Sequence, residues 1–276
     1  MARAVLPKVS AAVILAALLL TLSAPARAAG CGNSGAGFSA WLGAFKREAA
    51  TRGLSAGVIS AALDRVTYNA RVIALDRSQK AFRKSFEQVA AERITRARLD
   101  LGARMLNRHA RVLDAVERQF GVPRQIVVAI WGLETDYGAN TGTMATLRAL
   151  ATLAYDCRRA EFFRNELISA LGVIARGDLR PHEMRGAWAG ELGQTQFLAS
   201  SYLRFAVDFD GNGRRNLISS VPDALASTAN YLRAYGWRRG QGWQPGTANF
   251  AVLQKWNKSQ VYSRTIALFA SRLAGG

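Results

Sequence analysis

The chain has 276 residues, half of them hydrophobic, and carries a formal net charge of +18. This length and composition suffice for one large or two small domains with a buried core, and they exclude a disordered or collagen-like chain. With only two histidines and two cysteines, no glycine-rich phosphate loop and no dinucleotide fingerprint, the sequence leaves carboxylate chemistry as its main catalytic possibility.

The N-terminal segment is typical of a secretory signal peptide. Arg3 and Lys8 precede an apolar run over residues 11–22, and small residues surround a predicted cleavage point after this run. The run is shorter than a comfortable membrane span, and an uncleaved anchor is the alternative interpretation. We predict that residues 1–28 are removed on export and that residues 29–276 form the mature protein in the periplasm.

Export changes which partners the basic charge implies. Removal of the predicted signal peptide lowers the formal net charge by three, from +18 to +15. A cytosolic protein this basic would suggest nucleic acid, whereas an exported one meets cell-wall glycan peptides, anionic lipids and lipopolysaccharide. We therefore expect no nucleic-acid partner and a salt-dependent attraction to one of these polyanions; a solvated basic surface without a specific partner is the alternative.

Cys31 and Cys157 permit two interpretations. In an oxidising compartment the pair is typical of a disulfide, which would connect the mature N-terminus to the middle of the chain. Alternatively, Cys31 is the lipid-modified first residue of a membrane-anchored lipoprotein, although Ala28 is smaller than the aliphatic residue usual three positions earlier. The sequence favours the disulfide.

Helical periodicity runs through most of the mature chain. Apolar residues at i, i+3, i+4 and i+7 predict a helix from Phe38 that ends at Gly53, and Ser55 can cap a second helix through Leu63. A charged stretch over 80–118 also has apolar residues at helical spacing. These patterns predict that the first half of the mature chain is helical.

The second half begins with an apolar run over 126–133 that follows Pro123, a residue suited to a first helical turn. A run without a polar face is a buried strand or a buried helix, and its helical surroundings favour the helix. Further helices are predicted at about 143–155, 159–176, 199–207, 222–235 and 258–273. Because no convincing alternating strand series occurs, we predict one all-α domain.

Glu134 follows the apolar run directly and is the strongest candidate for acid–base chemistry. Desolvation at the end of a buried helix raises the pKa of a carboxyl, and the partial negative charge of a helix C-terminus acts in the same direction. A glutamic acid that is protonated near neutral pH is the general acid that glycosidic bond cleavage needs. A glutamate bonded to a neighbouring backbone group is the alternative.

A series of short motifs extends along the chain from Glu134. They are WGLETDYG (131–138), ALATLAYD (149–156), RRAEFF (158–163), GAWAG (186–190), GQTQF (193–197), SSY (200–202), AVDFDGNG (206–213), STANY (227–231), GW (236–237) and WN (256–257). In this order the motifs resemble the membrane-bound lytic transglycosylase B family, lysozyme-like enzymes that cut bacterial peptidoglycan. The resemblance covers residues 36–270 and implies that 29–276 is a catalytic domain.

The resemblance implies cleavage of the β-1,4 bond between N-acetylmuramic acid and N-acetylglucosamine by one catalytic glutamate, which Glu134 matches, and not by a carboxylate pair. The glutamate protonates the leaving oxygen and then deprotonates the muramic acid 6-hydroxyl. The product therefore carries a 1,6-anhydro end, and no water is consumed. Such an enzyme requires no cofactor, and we assume that it is a monomer bound to glycan strands.

The resemblance also implies substrate-binding residues. Arg158 and Arg159 match paired arginines that line the family's groove and meet peptide-stem carboxylates or sugar oxygens. Gln196 and Asn257 match polar groove residues that position sugars. Trp256 replaces a common tyrosine; it can stack on a sugar face and offers an N–H donor where the tyrosine offers a hydroxyl.

Two further departures concern the groove and its surroundings. Ala187 replaces a serine that assists the glutamate, which either leaves the hydroxyl role unfilled or moves it to Thr135 or Thr195. The segment 238–255 is shorter than in the best-known family member, so a small accessory subdomain is expected to be absent.

Glu191 is a second carboxylate inside the groove motif and keeps other functions open. If a water lay between Glu191 and Glu134, hydrolysis of the muramidase type would become possible. A structural or sugar-binding carboxylate is the simpler interpretation. A third possibility, from another class, is a catalytically weak scaffold that binds the wall without cutting it.

The loop over residues 208–223 resembles a cation site. Asp, Asp and Asn at positions 1, 3 and 5 with Gly at 6 begin an EF-hand loop, but position 12 lacks the usual glutamate. The family's ligands correspond here to Asp208, Asp210, Asn212, the Arg214 carbonyl and Asp223. An Asx-rich turn without metal is the alternative, and the adjacent arginine side chains would weaken a calcium site.

Overall fold

The structure is a computed structural model that describes Met1 and residues 30–79 and 84–275. The predicted signal peptide therefore lies outside the described residues except for Met1. The described chain forms thirteen α-helices and a single turn of 3₁₀ helix at Gly35–Gly37. The helices are α1 (Phe38–Thr51), α2 (Ala56–Leu63), α3 (Ala70–Arg77), α4 (Phe86–Arg93), α5 (Arg96–Arg108), α6 (Ala110–Phe120), α7 (Arg124–Thr135), α8 (Thr146–Tyr155), α9 (Ala160–Ala175), α10 (Ala199–Phe205), α11 (Val221–Ala234), α12 (Ala248–Trp256) and α13 (Gln260–Leu273).

Two very short strands, β1 (Met144–Ala145) and β2 (Arg185–Gly186), pair antiparallel, with Met144 opposite Gly186. Because residues 144–145 belong to this ladder, α8 begins three residues later than the predicted start at 143. The helical content confirms the prediction of an all-α fold. No helix within the described ranges is long and apolar enough to cross a bilayer.

Side-chain caps explain where several helices begin. Ser55, as predicted, accepts a hydrogen bond from the Val58 amide at 3.3 Å and caps α2. Thr247 caps α12 and Ser259 caps α13 in the same way. These caps satisfy amide groups that the first helical turn leaves without partners.

The apolar helix α7 lies in the core, and nine of its twelve residues are buried. It packs against α13, α5, α11 and α6. Fully burying a Val or Ile side chain stabilises the fold by roughly 1.5–3 kcal/mol, so a helix buried on all sides is held firmly. The residues at its C-terminal end, Glu134 among them, therefore have a fixed position.

Cys31 and Gly32 are attached to the end of α8. A disulfide joins Cys31 to Cys157, with their Cα atoms 4.8 Å apart. The Gly32 amide also donates to the Tyr155 carbonyl at 2.9 Å. A Cβ on Gly32 would lie 1.9 Å from the Tyr155 hydroxyl oxygen, so this close approach requires glycine.

Two helices were not predicted, α3 and α12. Both are short, and α12 lies in a region where Gly240, Gly242 and Gly246 precede the helix and favour a loop interpretation. Residues 80–83 of the predicted stretch over 80–118 lie outside the described residues, and the rest is divided into α4, α5 and α6, with breaks at Ile94–Thr95 and at His109. Thr95 caps α5, so a polar cap interrupts the apolar periodicity there.

Candidate active site

An open cavity of about 560 Å³ lies at the C-terminal end of α7. Its lining combines two carboxyl groups, several aromatic rings, two lysines and three smaller polar side chains. The lining residues are Glu134, Phe162, Ala187, Trp188, Glu191, Gln196, Phe197, Leu198, Ser201, Tyr231, Lys255, Trp256, Asn257 and Lys258. Phe162 is one of the few large apolar side chains with substantial exposure, 44%. Aromatic rings beside polar groups suit the faces and hydroxyls of a sugar chain.

Glu134 is the penultimate residue of α7 and faces the cavity. Burial raises the pKa of its carboxyl to about 7. The apolar sequence that precedes Glu134 predicts the direction of this shift. Hydrogen bonds from Trp256 and Tyr262 oppose this rise, and the negative charge of Glu191 adds to it. At neutral pH the carboxyl can therefore both give and accept a proton.

Trp256 ends α12 and holds the Glu134 carboxyl. Its indole Nε1 donates to Glu134 Oε1 at 3.0 Å. The indole is fixed by edge-on packing against Phe197 and Tyr231, with ring centroids 5.4 and 5.0 Å away. The sequence indicated an N–H donor at this position but not that its acceptor is Glu134.

Tyr262, in the first turn of α13, is a site residue that the sequence did not indicate. Its hydroxyl hydrogen-bonds to Glu134, and burial together with the glutamate's charge raises the pKa of Tyr262 well above its ordinary value. The tyrosine thus remains a neutral donor at all physiological pH values. No motif marks Tyr262, because only the packing of α13 against α7 brings it to Glu134.

Glu191 lies in the same cavity on a tight turn. The Gly190 amide donates to the Ala187 carbonyl at 3.2 Å, and the Ala187 amide donates to the Glu191 carbonyl at 3.1 Å. Glu191 Oε2 is buried and has no hydrogen-bond partner within the described ranges. Burial raises the pKa of Glu191, and its own backbone amide, the positive charge of Arg159 and the Ala189 amide oppose the rise. The carboxyl therefore presents an unsatisfied oxygen that a ligand could engage.

Gln196 and Asn257 line the cavity, as the resemblance implies. Gln196 Nε2 donates to the carbonyls of Thr141 and Gly193, at 3.1 and 3.0 Å, which fixes the side-chain amide. Asn257 Oδ1 accepts from the Ser259 amide at 2.9 Å. Both residues therefore present fixed amide groups at the cavity, Gln196 an acceptor and Asn257 a donor.

Arg158 and Arg159 do not line the cavity. Both bind the buried carboxylate of Asp76, Arg158 through Nε at 2.7 Å and Arg159 through its guanidinium at 2.6 Å. Arg77 binds the same carboxylate at 2.7 Å. The hydrogen bonds and the arginine charges hold the pKa of Asp76 low against the opposing effect of burial. The structure thus places the two predicted groove arginines on an internal anion.

Thr135 and Thr195, the candidates for the hydroxyl role that Ala187 cannot fill, do not line the cavity either. Thr135 is buried and its hydroxyl donates to the Gln194 carbonyl. Thr195 is buried too, and its hydroxyl oxygen lies 3.0 Å from that of Thr228. Ser201 lines the cavity and brings an aliphatic hydroxyl to it, although no sequence pattern assigned it a role.

The 208–223 loop lies apart from the cavity lining. Asp208, Asp210 and Asp223 each offer a carboxylate oxygen, and these oxygens lie within 4.8 Å of one another. Three converging carboxylates suit a hard divalent cation such as Ca²⁺. The Arg214 side chain turns away and donates to the Asp178 carbonyl and to Glu183, at 2.9 and 3.0 Å. The Arg214 guanidinium is therefore engaged by these two acceptors and not by the loop carboxylates.

A helical domain with a carboxyl of raised pKa in an open cleft has the architecture of lysozyme-like proteins. The chain belongs to the transglycosylase SLT domain family, whose sequence profile matches residues 37–248. This confirms the family that the ordered motifs indicate.

Relatives of known structure or sequence agree with this assignment. Over 164 residues the chain is 38% identical to membrane-bound lytic murein transglycosylase B of Escherichia coli K12, a match covering 56% of this chain and 45% of that protein. SltB3 of Pseudomonas aeruginosa, solved in complex with NAG-anhNAM-pentapeptide, superimposes with a TM-score of 0.82 at 32% identity, over 89% of this chain and 80% of SltB3. Slt35 of E. coli, solved in complex with calcium, has a TM-score of 0.74 at 25% identity, over 84% of this chain and 92% of Slt35. The match thus spans less than half of the first relative.

Proposed function

We propose that the protein cleaves the β-1,4 bond between N-acetylmuramic acid and N-acetylglucosamine in peptidoglycan by intramolecular transglycosylation, leaving 1,6-anhydromuramic acid ends. The observation that carries this proposal is Glu134, a carboxyl with a pKa of about 7 at the cavity of a transglycosylase SLT domain. SltB3, with its anhydro-sugar ligand, supports the product assignment.

The proposed reaction uses Glu134 twice. Its protonated carboxyl gives its proton to the leaving N-acetylglucosamine oxygen as the bond to the muramic acid anomeric carbon breaks. The resulting carboxylate then takes the proton of the muramic acid 6-hydroxyl, whose oxygen bonds to the same anomeric carbon. The proton balance closes and no water is consumed. The donors Trp256 and Tyr262 stabilise the carboxylate between the two steps.

Hydrolysis is the second candidate, because Glu191 lies in the same cavity with an unpartnered oxygen. A water held between the two carboxyls would attack the anomeric carbon, with Glu191 as its base. Burial raises the pKa of Glu191 and so disfavours the carboxylate form that such a base requires.

Mass spectrometry of digested peptidoglycan separates these functions. We expect the mature protein to release muropeptides that are lighter by one water than hydrolytic fragments. Glu134→Gln should lower the rate at least about a thousandfold while still binding the wall. Products with ordinary reducing ends that disappear in Glu191→Gln would establish hydrolysis. A protein that binds the wall and releases no product would be a scaffold.

We also propose that the 208–223 loop holds Ca²⁺ as a structural ion. The ligands would be carboxylate oxygens of Asp208, Asp210 and Asp223, the Asn212 side chain and the Arg214 carbonyl. The converging carboxylates and the calcium-bound relative Slt35 support this assignment. None of these residues lines the cavity, so the ion would stabilise the loop and take no part in bond cleavage.

We propose that the protein works in the periplasm, exported by residues 1–28. The disulfide engages the Cys31 sulfur, to which a lipoprotein anchor would be attached, and therefore favours an unlipidated protein. Peripheral attachment to wall or membrane through the basic surface remains compatible with this. Labelling cells with a radioactive fatty acid tests the choice: incorporation into the wild type that disappears in Cys31→Ser would establish the lipid anchor.

A further inference from the structure

The cavity carries two positive charges that the proposed reaction does not use. Lys255 ends α12 next to Trp256, and Lys258 follows Asn257 in the turn to α13. Both side chains line the cavity that contains Glu134, and both residues are exposed. Throughout the part of the chain that the structure describes, no carboxylate lies within 4.0 Å of either ammonium group. These charges are therefore available to a ligand.

The backbone that carries the two lysines is fixed. The Tyr231 hydroxyl donates to the Lys255 carbonyl at 2.7 Å, and the Ser263 hydroxyl donates to the Asn257 carbonyl at 3.0 Å. The lysine side chains thus extend from an anchored segment beside Trp256, the residue that holds Glu134. A group bound by the ammonium ions would lie close to the proposed reacting bond.

The acidic and the basic side chains of the cavity differ in their exposure to solvent. Its two carboxyls, Glu134 and Glu191, are strongly desolvated, whereas Lys255 and Lys258 are exposed to solvent. The arginine pair Arg158–Arg159, expected to meet substrate carboxylates, binds Asp76 and is not among the lining residues, although the charge of Arg159 acts on Glu191. The lysines are thus the cationic side chains of the lining, and a neutral sugar would not need them.

We infer that Lys255 and Lys258 bind carboxylates on the branch of muramic acid, so that the cavity recognises the muramic acid side of the bond by charge. This inference rests on the proposed function. The carboxylate can come from the peptide stem or, on strands without peptide, from the lactyl group itself. A lysine ammonium is a mobile point charge, which suits carboxylates on a flexible peptide better than a rigid guanidinium fork does.

The test compares three glycans and two double variants. Peptide-bearing strands, strands freed of peptide by an amidase, and a neutral N-acetylglucosamine oligomer serve as ligands. Lys255→Met/Lys258→Met removes both charges and keeps much of the apolar stem. Lys46→Met/Lys84→Met makes the same change in net charge at lysines that lie outside the cavity lining. Rates are measured on both strand types, and binding of all three glycans is measured in a Glu134→Gln background.

We expect kcat/KM of Lys255→Met/Lys258→Met on peptide-bearing strands to fall about tenfold more than that of the control pair, with the effect mainly in KM and decreasing at high salt. A fall confined to peptide-bearing strands assigns the lysines to stem carboxylates. An equal fall on amidase-treated strands shows that the lysines bind the free lactyl carboxylate where the peptide stem has been removed. Weakened binding of the neutral oligomer to the same extent as the strands would overturn the inference, as would equal losses in both double variants.

The proposed function can fail separately. If the wild type gives no anhydro products on either strand type, the transglycosylase proposal is wrong, whatever the lysine variants do. If the wild type gives anhydro products and the lysine pair leaves the binding of all three glycans at the control level, only the lysine inference is wrong. The binding measurements in the Glu134→Gln background do not depend on catalysis.

Discussion

At the scale of single residues, Glu134 is balanced between opposing influences. Burial raises its pKa to about 7, while the indole N–H of Trp256 and the hydroxyl of Tyr262 act in the opposite direction. The sequence predicts the first influence, because an apolar run ends at the glutamate. It does not predict the second, because Trp256 and Tyr262 are more than a hundred residues away and reach Glu134 through helix packing.

Replacement of Trp256 by Phe removes the donor to Glu134 Oε1. Since that donor favours the carboxylate, its loss raises the pKa of Glu134 further, and the alkaline limb of the pH–rate profile should move up by about one pH unit. Trp256→Tyr, which retains a donor, should move it less. Trp243→Phe is the matched control, because that indole donates to Ala267 and Ser271, away from the cavity. An unmoved alkaline limb in Trp256→Phe would contradict the role of the indole.

The contribution of Glu134 to the free energy of unfolding depends on pH. Its pKa is about 7 in the folded chain and near 4.5 when unfolded, so its stabilising contribution is complete below pH 4.5 and is lost as the pH rises to about 7. The difference between these two pKa values corresponds to at most about 3 kcal/mol of unfolding free energy. Glu134→Gln should therefore raise the free energy of unfolding at pH 8 relative to the wild type, measured by urea denaturation. At pH 4 the advantage should disappear; an equal gain at both pH values would refute this account.

At the scale of helices and loops, periodicity predicted most helices, and end signals fixed several of their boundaries. The buried helix α7 and the Ser55 cap of α2 are as predicted. Helix α12 was missed because glycines precede it, although Thr247 is a recognisable cap. That omission mattered, since α12 delivers Trp256 and Lys255 to the cavity. Long-range packing, which no local pattern records, also explains why Arg158 and Arg159 lie on Asp76.

The 208–223 loop gives a prediction at the same scale. Three converging carboxylates repel one another, and Ca²⁺ would relieve that repulsion, so a millimolar concentration of Ca²⁺ should raise Tm by several degrees. Differential scanning fluorimetry with Ca²⁺ and with EDTA measures this. Asp208→Asn/Asp210→Asn should abolish the shift, and Asp100→Asn, on the surface of α5, should retain it. An identical Tm with calcium and with chelator would exclude a functional site.

At the scale of the whole molecule, the net charge and the fold contribute separately to substrate binding. The mature chain is expected to carry a net charge of +15, and such a field attracts polyanions over distances set by salt. The helical domain holds a cavity whose chemistry depends on short contacts. The composition predicted the positive net charge, and the ordered motifs predicted the helical domain. Only the folded chain shows which cationic side chains line the cavity.

Binding to insoluble peptidoglycan should therefore weaken strongly with salt. Raising the ionic strength from 0.1 M to 1 M shortens the Debye length from about 10 Å to about 3 Å, which screens the general attraction. In a sedimentation assay with Glu134→Gln protein, we expect the bound fraction to fall at least severalfold. The rate on short soluble fragments should decline less, because they sample only the cavity. Salt-independent sedimentation would show that basic charge does not drive attachment.

The bond between Cys31 and Cys157 makes residues 31–157 a covalent ring, and that ring includes Glu134. A protease that cuts the backbone once anywhere inside the ring cannot release a fragment, because the sulfur bridge still joins both pieces. Such a nicked molecule would migrate as one band on a non-reducing gel and as two bands after reduction. In an extracytoplasmic environment with many proteases, the bridge would thus keep the two pieces of a cleaved molecule together.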